Sequence, residues 1–213
     1  MKKLLYISAN SKPEGMSVSK TAARDFISKF ILKNPDYQLI ELNLYSEDIP
    51  EVNYRYFTGR AELVSGSAYD SLSEQDKKTV DRINFLCDQF LSADTYVISA
   101  PMWSLSFPSI LKKYIDCIIL NNKVIKISED QVIGLLDDKV RKMVYIQSSG
   151  GDYPKLLSFK FNHGVSYLHD IFKFLGIKDF EKILVEGVDM TDIGKEEALK
   201  KAYKDIDNLV EKI

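Results

Sequence analysis

The residue types that usually do acid–base or metal chemistry are scarce in this chain: two histidines, His163 and His169, and two cysteines, Cys87 and Cys117, among 213 residues. The histidines are six apart, which does not place them on one helical face as metal ligands, and both read as ordinary helix residues, with His163 the nearer to any crevice. Neither has an evident acid partner, and there is no Gly-x-Ser-x-Gly elbow, so a serine hydrolase is disfavoured. The cysteines have neither metal-like spacing nor a disulfide framework and read as buried free thiols in a reducing cytosol. The chemistry must therefore come from elsewhere. The stretch Ser99-Ala100-Pro101-Met102-Trp103-Ser104-Leu105-Ser106-Phe107-Pro108 follows an apolar run and leads into a helical pattern of Leu111, Tyr114, Ile115 and Ile118. An aromatic turn at a strand's carboxyl end is a platform for a flat ligand.

Two further loops point the same way. Ser8-Ala9-Asn10-Ser11-Lys12-Pro13-Glu14-Gly15-Met16-Ser17-Val18-Ser19 is rich in hydroxyls and feeds an amphipathic helix. The unpaired amides and positive dipole of a helix start, with the Ser17 and Ser19 hydroxyls, can hold a phosphate dianion, although Ser17 could equally be only a helix cap. With neither G-x-G-x-x-G nor a P-loop, a nucleoside triphosphate or a Rossmann-bound dinucleotide is disfavoured. The third loop is Gln147-Ser148-Ser149-Gly150-Gly151-Asp152-Tyr153-Pro154, whose glycine pair lets the backbone approach a ligand closely. Each signal alone has a bland reading: a cap, a core tryptophan at Trp103, a simple strand-to-helix turn. Together they fall after the first, third and fourth strands, where a doubly wound sheet opens one crevice. A flavin ring is the flat ligand this arrangement suggests first.

The elements that would position these loops are legible as runs of β-branched and aromatic residues at 4–8, 38–42, 95–99, 143–147 and 183–185, the central ones apolar enough for burial on both faces. Between them lie helical patterns: Val18, Ala22, Phe26, Phe30; Ile83, Leu86, Phe90; Val165, Leu168, Phe172, Leu175; and Leu199, Ala202, Ile206, Leu209. This alternation predicts an α/β three-layer sandwich, a five-stranded parallel sheet in the order 2-1-3-4-5 with helices on both faces. Residues 1–213 are expected to form a single domain. Two segments exceed ordinary connections. Segment 43–72 carries Tyr45, Tyr54, Tyr56, Phe57 and Tyr69, too many aromatics for disorder, and segment 121–139 alternates like a small hairpin flap.

Charge and hydropathy exclude other classes. Lys and Arg number 29 against 31 Asp and Glu, a net charge of −2, so no basic field exists to attract nucleic acid or anionic lipid. After Met1-Lys2-Lys3 only a short apolar run follows, too short for export, and nothing approaches the roughly 20 apolar residues of a membrane helix, so a cytoplasmic protein is expected.

At this point the residues resemble a known family. The serine loop ending in Ser17-Val18-Ser19, the Pro101-Met102-Trp103-Ser104-Leu105 turn with Pro108-Ser109-Ile110-Leu111-Lys112-Lys113-Tyr114-Ile115-Asp116, the Ser148-Ser149-Gly150-Gly151 turn, and Phe174-Leu175-Gly176-Ile177 with Glu186-Gly187 are similar to the FMN-dependent NADH:quinone oxidoreductases and azoreductases of the flavodoxin-like superfamily. The resemblance covers nearly the whole chain. It implies that Ser17, Val18 and Ser19 hold the FMN phosphate, with Asn10 and Pro101 also among the cofactor-binding residues. Met102, Trp103, Ser104 and Leu105, with Ser148, Ser149, Gly150 and Gly151, would frame the isoalloxazine. It also implies a homodimer whose partner completes the site, with segments 43–72 and 121–139 contributing. Trp103-Ser104 stands where the family often has Tyr-Asn, and Ser149 where many relatives have arginine, so backbone contacts carry over and those side-chain contacts do not. The expected activity moves a hydride from NADH or NADPH through FMN to quinones or azo compounds, in ping-pong fashion, with no obligatory acid–base residue. The alternative is a flavodoxin-type electron carrier that docks protein partners. Carriers of that kind lean on a strongly acidic face for docking, whereas this chain is nearly charge-balanced.

Overall fold

The computed structural model describes residues 1–153 and 161–213. Five parallel strands, β1 (Lys2–Ser8), β2 (Tyr37–Asn43), β5 (Thr95–Pro101), β8 (Lys142–Ser148) and β9 (Asp179–Val185), form one sheet in the order β2-β1-β5-β8-β9. This is the order 2-1-3-4-5. The alternation of side chains along each strand sends apolar residues to both faces. Leu5, Ile7, Tyr96, Ile98, Met143 and Tyr145 join the core on one side; Leu4, Tyr6, Val97, Val144 and Ile146 join the core on the other. Helices α1 (Val18–Lys33) and α6 (Gly194–Lys212) cover the second side, and α3 (Glu74–Ser92), α4 (Ser109–Ile118) and α5 (His163–Leu175) cover the first. Each fully buried large side chain, such as Phe26, Phe90 or Phe172, contributes about 1.5–3 kcal/mol. Among the described residues no helix is long and apolar enough to cross a membrane.

The last strand begins four residues before the apolar run at 183–185 that signals it. Its first half, Asp179-Phe180-Glu181-Lys182, is polar because β9 is a sheet edge, where charged residues are tolerated and discourage further pairing.

The two long segments are structured. Segment 43–72 holds a short hairpin of β3 (Phe57–Gly59) and β4 (Glu62–Leu63) and one turn of helix, α2 (Gly66–Asp70). Of its aromatics, Tyr56 is buried and Phe57 and Tyr69 pack against the core; Tyr54 and Tyr45 remain exposed. Most of this aromatic surface is thus satisfied within the chain. Segment 121–139 does form a hairpin, β6 (Ile125–Ile127) with β7 (Val132–Gly134). It does not flap over the crevice. Leu136 donates its amide to the Leu175 carbonyl at 2.8 Å, at the carboxyl end of α5, whereas the amino end of α5 meets the Trp103 turn through His163 and Leu105. A 13-residue helix spans about 20 Å, so the hairpin packs at the opposite edge of the sheet from that turn.

Candidate cofactor cleft

The loop after β1 is fixed by its own side chains. Ala9 donates its amide to the Ser99 carbonyl on β5 at 2.8 Å, and beneath it the Tyr6 hydroxyl meets Ser99 Oγ at 2.9 Å. Burial pushes the Tyr6 phenol up to about 12, so it stays protonated as a structural partner. The buried Asn10 accepts from the Lys12 amide at 2.9 Å and donates to Ser17 Oγ at 2.8 Å. Ser17 caps α1, accepting from the Lys20 amide at 3.3 Å, and its Oγ lies 3.3 Å from the fully buried Ser19 Oγ. Capping and ligand binding are compatible here. The cap uses one N–H of the first turn, and the Val18 and Ser19 amides ahead of it lack intrahelical acceptors by helix geometry.

The turn after β5 is locked to the turn after β8. Met102 donates to the Ser148 carbonyl at 2.7 Å, and Trp103 and Ser106 exchange backbone hydrogen bonds of 3.1 and 2.8 Å. Between them Ser104 (φ 49°) and Leu105 (φ 62°) both occupy the left-handed region, the pattern of a tight primed turn built here without glycine. Because the Met102 and Trp103 amides are committed, the amides of Ser104 and Leu105 are the ones in this turn with no backbone acceptor among the described residues. Trp103 is 48 % exposed, which excludes a core-anchor role for it.

The β8 turn is held from the far side by the loop after β9. Ser149 donates to Val185 at 3.0 Å, while Ser149, Gly150 and Gly151 carbonyls accept from Val188, Asp189 and Gly187 at 3.0–3.1 Å. With the Ser149 amide used, the Gly150 and Gly151 amides are the ones with no backbone acceptor among the described residues. A Cβ on Gly150 would fall 2.5 Å from Asp189 Oδ2, the movable end of a side chain, so a larger residue there would displace the Asp189 carboxylate. Pro154 lies outside the described residues. Below the turn, buried Gln147 donates to the Tyr145 hydroxyl at 3.1 Å and accepts from Asn162 at 2.5 Å, and Asn162 caps α5 by accepting from the Val165 amide. His163 donates its amide to the Leu105 carbonyl at 2.9 Å; its ring is exposed. His169 pairs with Asp170 on the surface.

These loops enclose one cleft of about 290 Å³. Of the residues expected at the site, Asn10, Ser17, Val18, Pro101, Met102, Trp103, Ser148, Ser149 and Gly150 line it. Ser19, Ser104, Leu105 and Gly151 do not line it and sit directly behind or beside it in the same turns. The cleft also takes in Ser11, Lys12, Met16, Val188 and Asp189. Val188 and Asp189 went unnoticed in the sequence, although Glu186-Gly187 stood just before them. The signal was topological: the loop after a fifth parallel strand opens on the same sheet edge as the others. A larger cavity of about 440 Å³ lies between the β3–β4 hairpin, α3 and Asn121 to Lys123, and contains none of the convergent turns.

The arrangement suits a flat molecule carrying one phosphate. The start of α1, with the Ser17 hydroxyl, borders the cleft at one place, the backbones of 101–103 and 148–150 border it at others, and the half-exposed Trp103 is part of its lining. Among the described residues no group of His, Cys, Asp and Glu could hold a metal ion.

Comparison with known proteins places this geometry. The family profile of the flavodoxin-like fold matches residues 2–210. The chain is 60 % identical over 213 residues, all of this chain and 96 % of the relative, to FMN-dependent NADH:quinone oxidoreductase 1 of Clostridium acetobutylicum. It is 47 % identical, over the full length of both, to an FMN-dependent NADH:quinone oxidoreductase of Ruminiclostridium cellulolyticum. An FMN-dependent NADH-azoreductase of Bacillus anthracis, solved in complex with FMN, superposes with a TM-score of 0.84 at 29 % identity, covering 100 % of this chain and 99 % of that one. The chain belongs to the flavodoxin-like family, in the branch of the FMN-dependent NADH:quinone oxidoreductases and azoreductases.

Proposed function

We propose that this chain is an FMN-dependent oxidoreductase that transfers a hydride from NADH or NADPH to quinones and azo compounds. The observation that carries the reading is the convergence of the Ser17 helix start, the Trp103 turn and the Gly150 turn on one cleft. When bound, the cofactor supplies the hydride chemistry, in two successive half-reactions with donor and acceptor using the same place in turn. The chain's part is binding and electrostatics. Asn10, Ser17, Val18 and Ser19 hold the phosphate at the positive end of α1. Pro101, Met102 and Trp103 wall the ring on one side, and the Ser104 and Leu105 amides supply donors at its edge. Ser148, Ser149, Gly150 and Gly151 form the opposite turn, and the Gly150 and Gly151 amides would stabilise negative charge on the reduced cofactor. No side-chain acid or base is required, in keeping with a cleft that neither His163 nor His169 lines.

The functional unit in this reading is a homodimer of single-domain, cytoplasmic chains. The half-exposed Trp103 and Leu105 and the exposed Tyr54 leave apolar surface that a second subunit would cover. A carrier role is less consistent with the chain, because its net charge is only −2. Titration of the purified protein with FMN, followed by flavin fluorescence, tests the reading. Saturable one-to-one binding that the Ser17→Ala/Ser19→Ala double variant weakens severely is expected; unchanged affinity in that variant would place the phosphate elsewhere.

A further inference from the structure

We propose that Lys20 is the residue by which the cleft selects a phosphorylated flavin over its unphosphorylated form. The proposal rests on the reading that the cofactor's phosphate lies at the start of α1.

Lys20 is the third residue of α1 and only 6 % exposed. A cation is disfavoured there on three counts. The amino end of a helix is its positive end, and the first turn of α1 carries no acidic residue to offset it. Removing an ammonium group from water is costly unless it is paired. No carboxylate among the described residues lies within ion-pair distance of it, and Glu14, the carboxylate whose charge reaches it, spends both oxygens on Arg24 at 2.9–3.2 Å. Burial accordingly lowers the Lys20 pKa. A charge in a place where every local rule opposes it marks a functional position rather than a packing one.

Lys20 does not itself line the cleft, and its side-chain contact ties it to a loop that does. Nζ donates to the Lys12 carbonyl at 2.9 Å, and Lys12 lines the cleft. The Lys12 amide in turn bonds Asn10, and Asn10 bonds Ser17 Oγ, so the ammonium closes a ring of polar groups around the helix start. An ammonium has three N–H donors, and the Lys12 carbonyl uses one. A phosphate monoester dianion at Ser17 and Ser19 supplies the counter-charge that the protein withholds. An uncharged ribityl hydroxyl in the same place does not.

The test compares FMN and riboflavin dissociation constants, by flavin fluorescence, in the wild-type chain, Lys20→Met and Lys20→Arg. Lys20→Met is expected to lose FMN affinity by at least about tenfold while riboflavin affinity stays within about twofold, with Lys20→Arg retaining most of the discrimination. The flavin-free Lys20→Met protein should melt no lower than wild type, since an unpaired buried charge has been removed. Equal losses for both flavins, unchanged FMN affinity, or a flavin-free variant that melts well below wild type would each overturn the role of Lys20. Wild-type protein that binds neither flavin, or binds both equally, would instead overturn the phosphate reading beneath it.

Discussion

The Met102 amide donates to the Ser148 carbonyl at 2.7 Å, so the turn after β5 is tied to the carboxyl end of β8. The carbonyl of Leu105, reached by the His163 amide, ties the amino end of α5 to that turn. These ties at the rim of the cleft are made by backbone, so they do not depend on the side chains of Trp103 and Ser104.

Trp103 tests the division between frame and side chain. Its indole is half exposed and its amide is committed to Ser106, so Trp103→Ala should leave FMN bound and cost less than about 1 kcal/mol of stability, against the roughly 3–5 of a buried aromatic. The KM for quinones should rise about two- to tenfold through lost stacking, and quenching of tryptophan fluorescence by flavin disappears with its only source. A variant that melts far below wild type with normal quinone kinetics would reassign Trp103 to packing.

Gly164 tests the junction itself. A Cβ there would lie 3.1 Å from the Ser106 carbonyl carbon and 3.1 Å from Gln147 Nε2. The turn backbone has to give, so Gly164→Ala should cost about 1–3 kcal/mol as an overpacked site does. FMN affinity should fall with it, because the displaced atoms belong to the Trp103 turn. Thermal melting and flavin titration of the same preparation check both, and a loss of stability with intact FMN affinity would separate α5 from the cleft.

The double substitution Ser17→Ala/Ser19→Ala has two costs that can be told apart. Ser17 is the cap of α1 and the acceptor for buried Asn10, so the flavin-free variant should lose about 1–2 kcal/mol. The loss of FMN binding should exceed what that destabilisation explains. Denaturant titration without flavin, set against the dissociation constant, separates the two.

The strands were legible because both-sided burial writes continuous apolar runs at 4–8, 95–99 and 143–147, and β-α alternation then admits few topologies. The site was legible only as three weak loops made persuasive by convergence. What could not be read depended on tertiary geometry. Nothing local tells that the Trp103 amide is spent on Ser106, that Tyr56 and Tyr69 pack inward, or that the β6–β7 hairpin docks on the far end of α5. Asp189 was hidden for the same reason, since its approach to Gly150 joins residues about forty positions apart.

Cys87 and Cys117 should be inert in the folded protein. Burial pushes both thiols up to about 12, and each donates to a backbone carbonyl, of Ile118 and Pro50 respectively. Since the thiolate is the reactive form, alkylation at neutral pH should proceed only as fast as the chain opens, and it should accelerate in denaturant. Rapid labelling of the native protein would contradict the packing of α3 against α4.

Light scattering of the purified chain should give about twice its 24.4 kDa mass, the value for a homodimer. A fully active species of single mass would remove the second subunit from the account.

The most direct test of the central claim is anaerobic reduction of the FMN-loaded protein by NADH, followed by addition of a quinone. The account predicts that NADH bleaches the visible flavin absorption, that the oxidised nicotinamide leaves, and that quinone then restores the absorption without NADH present. Loaded protein that NADH does not bleach, or that quinone does not reoxidise, would contradict it.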